Sequence, residues 1–199
     1  MLAGIFRVDQ LGRATIVAVG LVLALGGSAL AGPVADNAAE AEQQAAAGNG
    51  AAAIGAFDAA VDAFWQAEPL TFRVARFADQ ISGFGMYTPR ADGPFRAGDT
   101  VNIYLEPVGY GFAADGDGYR VSYGTGVEIR TPGGLILGKT DDFGKATWQG
   151  RAKSHEVHAA VSVTLPGELK PGDYELLLTL TDDASGKSAT ATFPFAIAE

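Results

Sequence analysis

From residue 70 onward, apolar and polar residues alternate in short runs, and turn-forming residues separate these runs at regular intervals. Alternation with a period of two places successive side chains on opposite faces of a strand, so each run has one face to bury. Within 100–106, for example, Val101, Ile103 and Leu105 share one face. The pattern predicts eight strands, at 70–77, 81–88, 100–106, 119–130, 135–140, 156–165, 174–181 and 188–197.

These strands predict a mainly β fold in which two antiparallel sheets pack face to face. Parallel strands need long crossover connections, usually helices, and no helical period separates the predicted strands. Short strands that each carry one apolar face bury those faces well in two layers with Greek-key connections. We therefore expect an antiparallel Ig-like β-sandwich over residues 68–199.

Residues 32–67 show the period of helices instead. This segment is rich in Ala and acidic residues, and a break at Gly48-Asn49-Gly50 predicts two helical pieces. In the second piece, large apolar residues recur at steps of three and four, which is typical of an amphipathic helix with one buried face. We predict that this helical arm packs on the sandwich or on a partner through an apolar stripe of Ile54, Phe57, Val61, Phe64 and Trp65.

The first 31 residues have the three parts of a secretory signal peptide. Two Arg residues precede an unbroken apolar run at 14–25, and the small residues Ala29 and Ala31 suit signal peptidase. Cleavage after Ala31 would release a periplasmic or secreted bacterial protein that meets the membrane only through this segment before cleavage. The alternative is an uncleaved anchor, because residues 14–31 reach the lower limit of length for a membrane span.

Charge and composition exclude several classes of function. The chain has 14 Lys and Arg against 23 Asp and Glu, a formal net charge of −9, which leaves no basic surface for nucleic acid. The absence of Cys excludes disulfides, thiolate zinc sites and cysteine nucleophiles. No nucleophile-elbow, phosphate-binding or dinucleotide-binding motif is present. We expect a protein that is not an enzyme and has no cofactor.

Three strand-and-turn motifs follow one another along the predicted sandwich. They are Gly85-x-Tyr87-x-Pro89, Phe95-x-x-Gly98-Asp99 and Pro171-Gly172-x-Tyr174, within 83–197. The combination resembles a group of uncharacterised secreted bacterial β-sandwich proteins of Ig-like type. The resemblance implies a fold and an exported location, and its motifs name no catalytic residue.

Two short motifs contain residue types that bind metals. His155 and His158 flank a Glu, as in some zinc or copper sites, but in a strand their odd spacing sends the side chains to opposite faces. Asp115 and Asp117 alternate with Gly, as in a calcium loop, although the later ligands of such a loop are missing. We therefore predict a turn at 115–118 and no metal site, with these four residues as the candidates should one exist.

Aromatic residues concentrate around the segment at 108–118. Tyr110 and Phe112 would form an exposed platform on which a sugar ring stacks, if this segment is a surface loop. Tyr104 lies on the strand face opposite Ile103, which makes it the best surface candidate among the strand aromatics.

These observations lead to one expected function and two alternatives. We expect a non-catalytic exported protein that acts through protein–protein contacts in the cell envelope, with Phe57, Phe64 and Trp65 among the contact residues. The first alternative is a carbohydrate-binding module that uses Tyr110 and Phe112 on an envelope glycan. The second is a metal-dependent envelope enzyme.

Overall fold

Two helices precede all of the strands in the computed structural model, which describes residues 32–199. They are α1 (Pro33–Ala46) and α2 (Gly50–Ala67), and they pack against each other. Gly48 has a φ of +79°, and the amide of Asn49 donates back to the carbonyl of Gln44, which closes α1 with a Schellman motif. The predicted break between two helical pieces is confirmed. The predicted signal peptide at 1–31 lies outside the described residues.

The rest of the described chain is two antiparallel sheets, as predicted. The first has the strand order β2-β1-β3-β7. The second has β4-β5-β8-β9, and β6 also pairs with β5. Within 32–199 there are nine strands: β1 (Thr71–Gly83), β2 (Met86–Pro89), β3 (Thr100–Val108), β4 (Ala113–Asp115), β5 (Gly118–Arg130), β6 (Ile136–Gly150), β7 (Ala159–Thr164), β8 (Gly172–Asp182) and β9 (Ser188–Ile197).

The core contains the apolar rows that alternation predicts. Ile103 and Leu105 of β3 are fully buried, as are Leu176, Leu178 and Leu180 of β8. Each such side chain contributes about 1.5–3 kcal/mol through burial, which makes these rows the main source of stability. Both helices belong to the same compact unit as the two sheets, residues Gly32–Glu199.

The strand predicted at 81–88 is wrong, because the chain reverses direction within it. β1 continues to Gly83, a turn follows, and β2 starts at Met86 and pairs back onto β1. Gly85 in this turn has a φ of +68°, which a residue with a side chain rarely adopts. Alternation continues on both sides of the turn, so the pattern alone does not reveal it.

Three other boundaries differ from the prediction. The short strand β4 was not predicted, and β6 extends to Gly150 instead of ending at residue 140. Charged residues in the middle of β6 obscure its second half, where Ala146 and Trp148 pack against the core. Residues 156–158 lie before β7 and make no strand pairing, so the histidine segment is not part of a strand.

Candidate functional site

The last turn of α2 is anchored in the sandwich core. Trp65 is only 8% exposed, and its ring meets the ring of Tyr110 edge-on at 5.1 Å between centroids. Its other neighbour is the ring of His155, at 4.4 Å. The prediction of Trp65 as a partner-contact residue is therefore wrong, because this side chain ties the helix to its own sheets.

A lysine from the far end of the chain holds the C-terminus of α2. The Nζ atom of Lys187 donates to the carbonyl oxygens of Gln66 at 2.8 Å, Glu68 at 2.6 Å and Gly109 at 3.0 Å. The last carbonyls of a helix lack partners within the helix and carry the negative end of its dipole, so a cation there is stabilising. Lys187 therefore fixes the position where α2 ends and the first sheet begins.

Asp62 of α2 makes a second polar link to the sandwich. Its Oδ2 atom accepts a hydrogen bond from the Nζ of Lys153 at 2.6 Å. Its Oδ1 atom lies 3.1 Å from the Nε2 of His155, although this ring is not aligned for a hydrogen bond. The ring of Phe112 also contacts His155 edge-on, at 5.7 Å between centroids. His155 thus lies in a packed contact between α2 and the loop before β7.

His158 lies in a different environment from His155. Its ring is nearly parallel to the ring of Tyr104 on the first sheet, and the two centroids are 5.8 Å apart. Burial lowers the pKa of His158, and the carboxylate of Glu106 opposes this shift. The two imidazoles therefore contact different residues, and within 32–199 no group of three His, Asp or Glu side chains converges as a metal site would need.

Tyr104 is fully buried, so its prediction as a surface residue is wrong. Its side chain does lie on the predicted face, but the turn between β1 and β2 covers it. The ring of Tyr87 stacks on it at 4.0 Å, and its hydroxyl accepts from the amide of Gly85 and donates to Oε1 of Glu106, both at 2.7 Å. Burial, followed by the bond to Glu106, raises the pKa of Tyr104 to about 12.

The aromatic platform predicted at 110–112 is also not exposed. Tyr110 is fully buried, and its hydroxyl donates to the carbonyl of Ser154 at 2.7 Å. Burial is the main reason that its pKa is raised. Phe112 is half-buried, with its ring 5.4 Å from that of Tyr110. The segment packs under the end of α2, so Tyr110 does not form the exposed platform that was predicted.

The two aspartates of the predicted turn occupy the hairpin between β4 and β5. Gly116 between them has a φ of +58°, as a tight turn requires. Asp115 accepts a hydrogen bond from the side-chain Nε2 of Gln149 on β6 at 2.7 Å, and Asp117 is exposed. The turn prediction is confirmed.

The apolar stripe of α2 is largely exposed to solvent. Ile54, Phe57 and Phe64 are 66%, 58% and 53% exposed, respectively, and Val61 on the same face is half-buried. The prediction that the stripe packs on the sandwich is wrong for these residues, because it is Trp65 in the last turn of α2 that packs into the core, and packing on a partner stays a prediction. Phe57 and Phe64, both predicted as contact residues, are open to solvent.

An apolar groove continues the stripe onto the first sheet. The groove has a volume of about 430 Å³, and Phe64 forms part of its wall. Phe72 of β1 and Val108 of β3 also line the groove. We call the stripe and this groove together the α2 surface, defined by Ile54, Phe57, Phe64, Phe72 and Val108.

The helices that carry this surface are uniformly acidic. Residues 33–67 contain no Lys or Arg, and their only charged residues are carboxylates. The cations that meet them, Lys153 and Lys187, come from the sandwich. These two lysines, distant in sequence from α2, had no local signal that would reveal their role. The carboxylates are Asp36, Glu40, Glu42, Asp58 and Asp62.

Comparison with known proteins gives no assignment. No protein-family model matches the chain, and no curated protein matches it significantly. Among the helices of residues 32–199, none combines the length and hydropathy needed to cross a bilayer.

Proposed function

We propose that this protein is a non-catalytic, exported binding protein that acts through protein–protein contacts in the cell envelope, with the α2 surface as its contact site. The observation that carries the proposal is the exposure of three large apolar side chains, Ile54, Phe57 and Phe64, on one helix face. Contiguous exposed apolar area is costly in water and typically marks a site of association.

The charge of the helical arm indicates the chemistry of the partner. The stripe lies on a helical arm whose charged residues are all carboxylates, such as Asp58 on α2, and the groove beside it is lined by one carboxylate, Glu68, and one cation, Arg73. A partner that buries the stripe brings its own flanking residues next to these carboxylates, and basic residues there are favourable. The partner is therefore a basic amphipathic helix, which packs its apolar face beside α2.

An exported location is supported by the sequence of residues 1–31 and by the resemblance to secreted β-sandwich proteins. A charged start, an apolar run and small residues at the exit are the features that the export machinery uses. Absence of Cys removes any dependence on the redox state of the compartment.

Photo-crosslinking in cells of the source bacterium tests the proposal. A photoreactive phenylalanine analogue at Phe57 should give a discrete adduct with one envelope protein, and the added change Phe64→Ser should reduce the adduct at least tenfold. The same analogue at Lys170, an exposed position in the loop before β8, is the control and should give little adduct. A crosslinked peptide that is acidic, an adduct with lipid or glycan, or equal adducts at both positions would contradict the proposal.

A further inference from the structure

Strand β6 forms an outer edge of the second sheet. Within 32–199 it pairs only with β5, so its other side presents unpaired backbone donors and acceptors. Such an edge is a template for association with another chain unless it is covered. Leu135, Ile136, Leu137 and Phe143 are exposed along this edge, although their side chains are apolar.

One face of β6 carries Lys139 and Asp141, and the apolar residues Leu137 and Phe143 lie on either side of this pair along the strand. All four are exposed, and the Nζ of Lys139 lies 3.3 Å from Oδ1 of Asp141, which confirms that these two share a face. This row along the strand reads apolar, positive, negative, apolar. Reversing its direction gives a row of opposite charge order, so the row is complementary to an antiparallel copy of itself.

We propose that the protein forms a symmetric dimer through this β6 edge, with a twofold axis passing near Thr140. In this arrangement Lys139 of one copy faces Asp141 of the other, and Leu137 of one copy lies near Phe143 of the other, beside the charged pair. Each pair occurs twice, because a twofold contact is isologous. Opposite charges and apolar residues that face each other across strands are stabilising.

Other antiparallel registers are less favourable. An axis at Lys139 places two ammonium groups opposite each other, which is destabilising. An axis at Gly138 places Lys139 opposite Leu137 and Asp141 opposite Leu135, so that each charge meets an apolar side chain. The charge pattern of the row therefore selects the axis near Thr140.

A bulge in β6 determines which groups make the contact. Thr140 pairs with Val127 and Gly144 with Thr125, so the three residues 141–143 lie opposite Gly126 alone, and a second, one-residue bulge occurs at Leu137. This part of β6 bows away from β5, and a continuous backbone ladder cannot follow the whole edge. The side chains of the row, rather than an unbroken ladder, therefore set the register of the dimer.

Sedimentation equilibrium of the purified protein tests the proposal. Dimers should form with the unchanged sequence, and Lys139→Asp or Asp141→Lys alone should weaken dimerisation by about tenfold or more, because two attractive pairs become repulsive. The double variant Lys139→Asp/Asp141→Lys should restore it. Circular dichroism and a thermal melt verify that these exposed changes leave the fold intact. A monomer at all concentrations, or single variants that dimerise normally, would overturn the proposal.

The lack of Cys provides a geometric test of the same axis. A single Thr140→Cys should form an intermolecular disulfide under mild oxidation, because residues at the axis face their own copies. Gly138→Cys, on the same exposed strand, is the matched control. It should not form this disulfide, because the two copies of this position in such a dimer would lie too far apart to be bridged. Equal crosslinking of the two variants would contradict the axis. The α2 surface is not involved, so either proposal can fail without the other.

Discussion

The Nζ atom of Lys187 donates to the carbonyl oxygen of Gln66 at 2.8 Å, a contact that spans 121 residues of sequence. Together with the buried ring of Trp65, it holds the last turn of α2 against the sandwich. Asp62, just before that turn, binds Lys153 in the loop before β7, whereas Ile54 and Phe57, nearer the start of the helix, are exposed. The way the helix is anchored therefore explains why its apolar face is open to a partner.

Removal of the Lys187 ammonium should loosen α2. Lys187→Met keeps most of the aliphatic chain but leaves the helix carbonyls without their cation, and we expect the free energy of unfolding to fall by about 1–2 kcal/mol. Urea denaturation measures this loss, and amide exchange in α2 should accelerate. Lys170→Met, at an exposed position, is the control and should be nearly neutral. Unchanged exchange in α2 would show that the cap does not hold the helix.

Two aromatic residues, adjacent in sequence on α2, should respond oppositely to truncation. Trp65→Ala removes a core ring and should cost about 3–5 kcal/mol of stability. Phe64→Ala changes an exposed side chain and should cost less than about 0.5 kcal/mol. Chemical denaturation of both variants measures the contrast. Comparable losses would mean that Phe64 is part of the core and would remove it from the α2 surface.

The segment that connects α2 to β1 packs closely against one glycine, Gly109. Gly109 has a φ of +81°, and a Cβ atom there would collide with the backbone oxygen of Pro69. Gly109→Ala should therefore cost about 3 kcal/mol or more, from strain and collision together. The matched control is Gly116→Ala, where φ is +58°. An added Cβ atom there would have no atom beyond the adjacent residues within 4 Å, so the cost should be about 1 kcal/mol. Thermal melts of both variants should differ clearly, and equal costs would contradict the collision.

Acidification should weaken the fold through His158. Burial lowers the pKa of this imidazole in the folded state, so the unfolded chain takes up its proton at a higher pH. Stability from this group is present above the ordinary histidine pKa of about 6.5 and is lost as the pH falls below it. Urea denaturation between pH 7.5 and about 5.5 should show this decline, and His158→Gln should flatten it. An equally steep decline in the variant would contradict the assignment.

Much of the fold follows from the sequence because alternation is a local signal. The rows through Ile103 and Leu178 are buried where the pattern predicts, and the break after α1 coincides with Gly48. Tyr104 shows the limit of this reasoning. Its face could be predicted from parity, but its burial depends on the turn at Gly85, which folds over it from another strand.

The candidate site was less predictable, because periodicity identifies an apolar face without identifying what covers it. The stripe containing Ile54 and Phe57 reads as a buried face, yet it is exposed. Whether such a face is covered depends on tertiary contacts such as those of Lys153 and Lys187, which are remote in sequence from α2. A signal was available for β6, where Leu135 starts three successive apolar residues that no strand alternation explains.

The most direct test of the α2 surface is a binding measurement with the envelope protein that the crosslinking identifies. Calorimetric titration should show binding to the unchanged protein and at least a tenfold loss with Phe57→Ser/Phe64→Ser, while the control Lys170→Gln retains most of the affinity. Equal affinity of the unchanged protein and the double serine variant would contradict the assignment of the α2 surface.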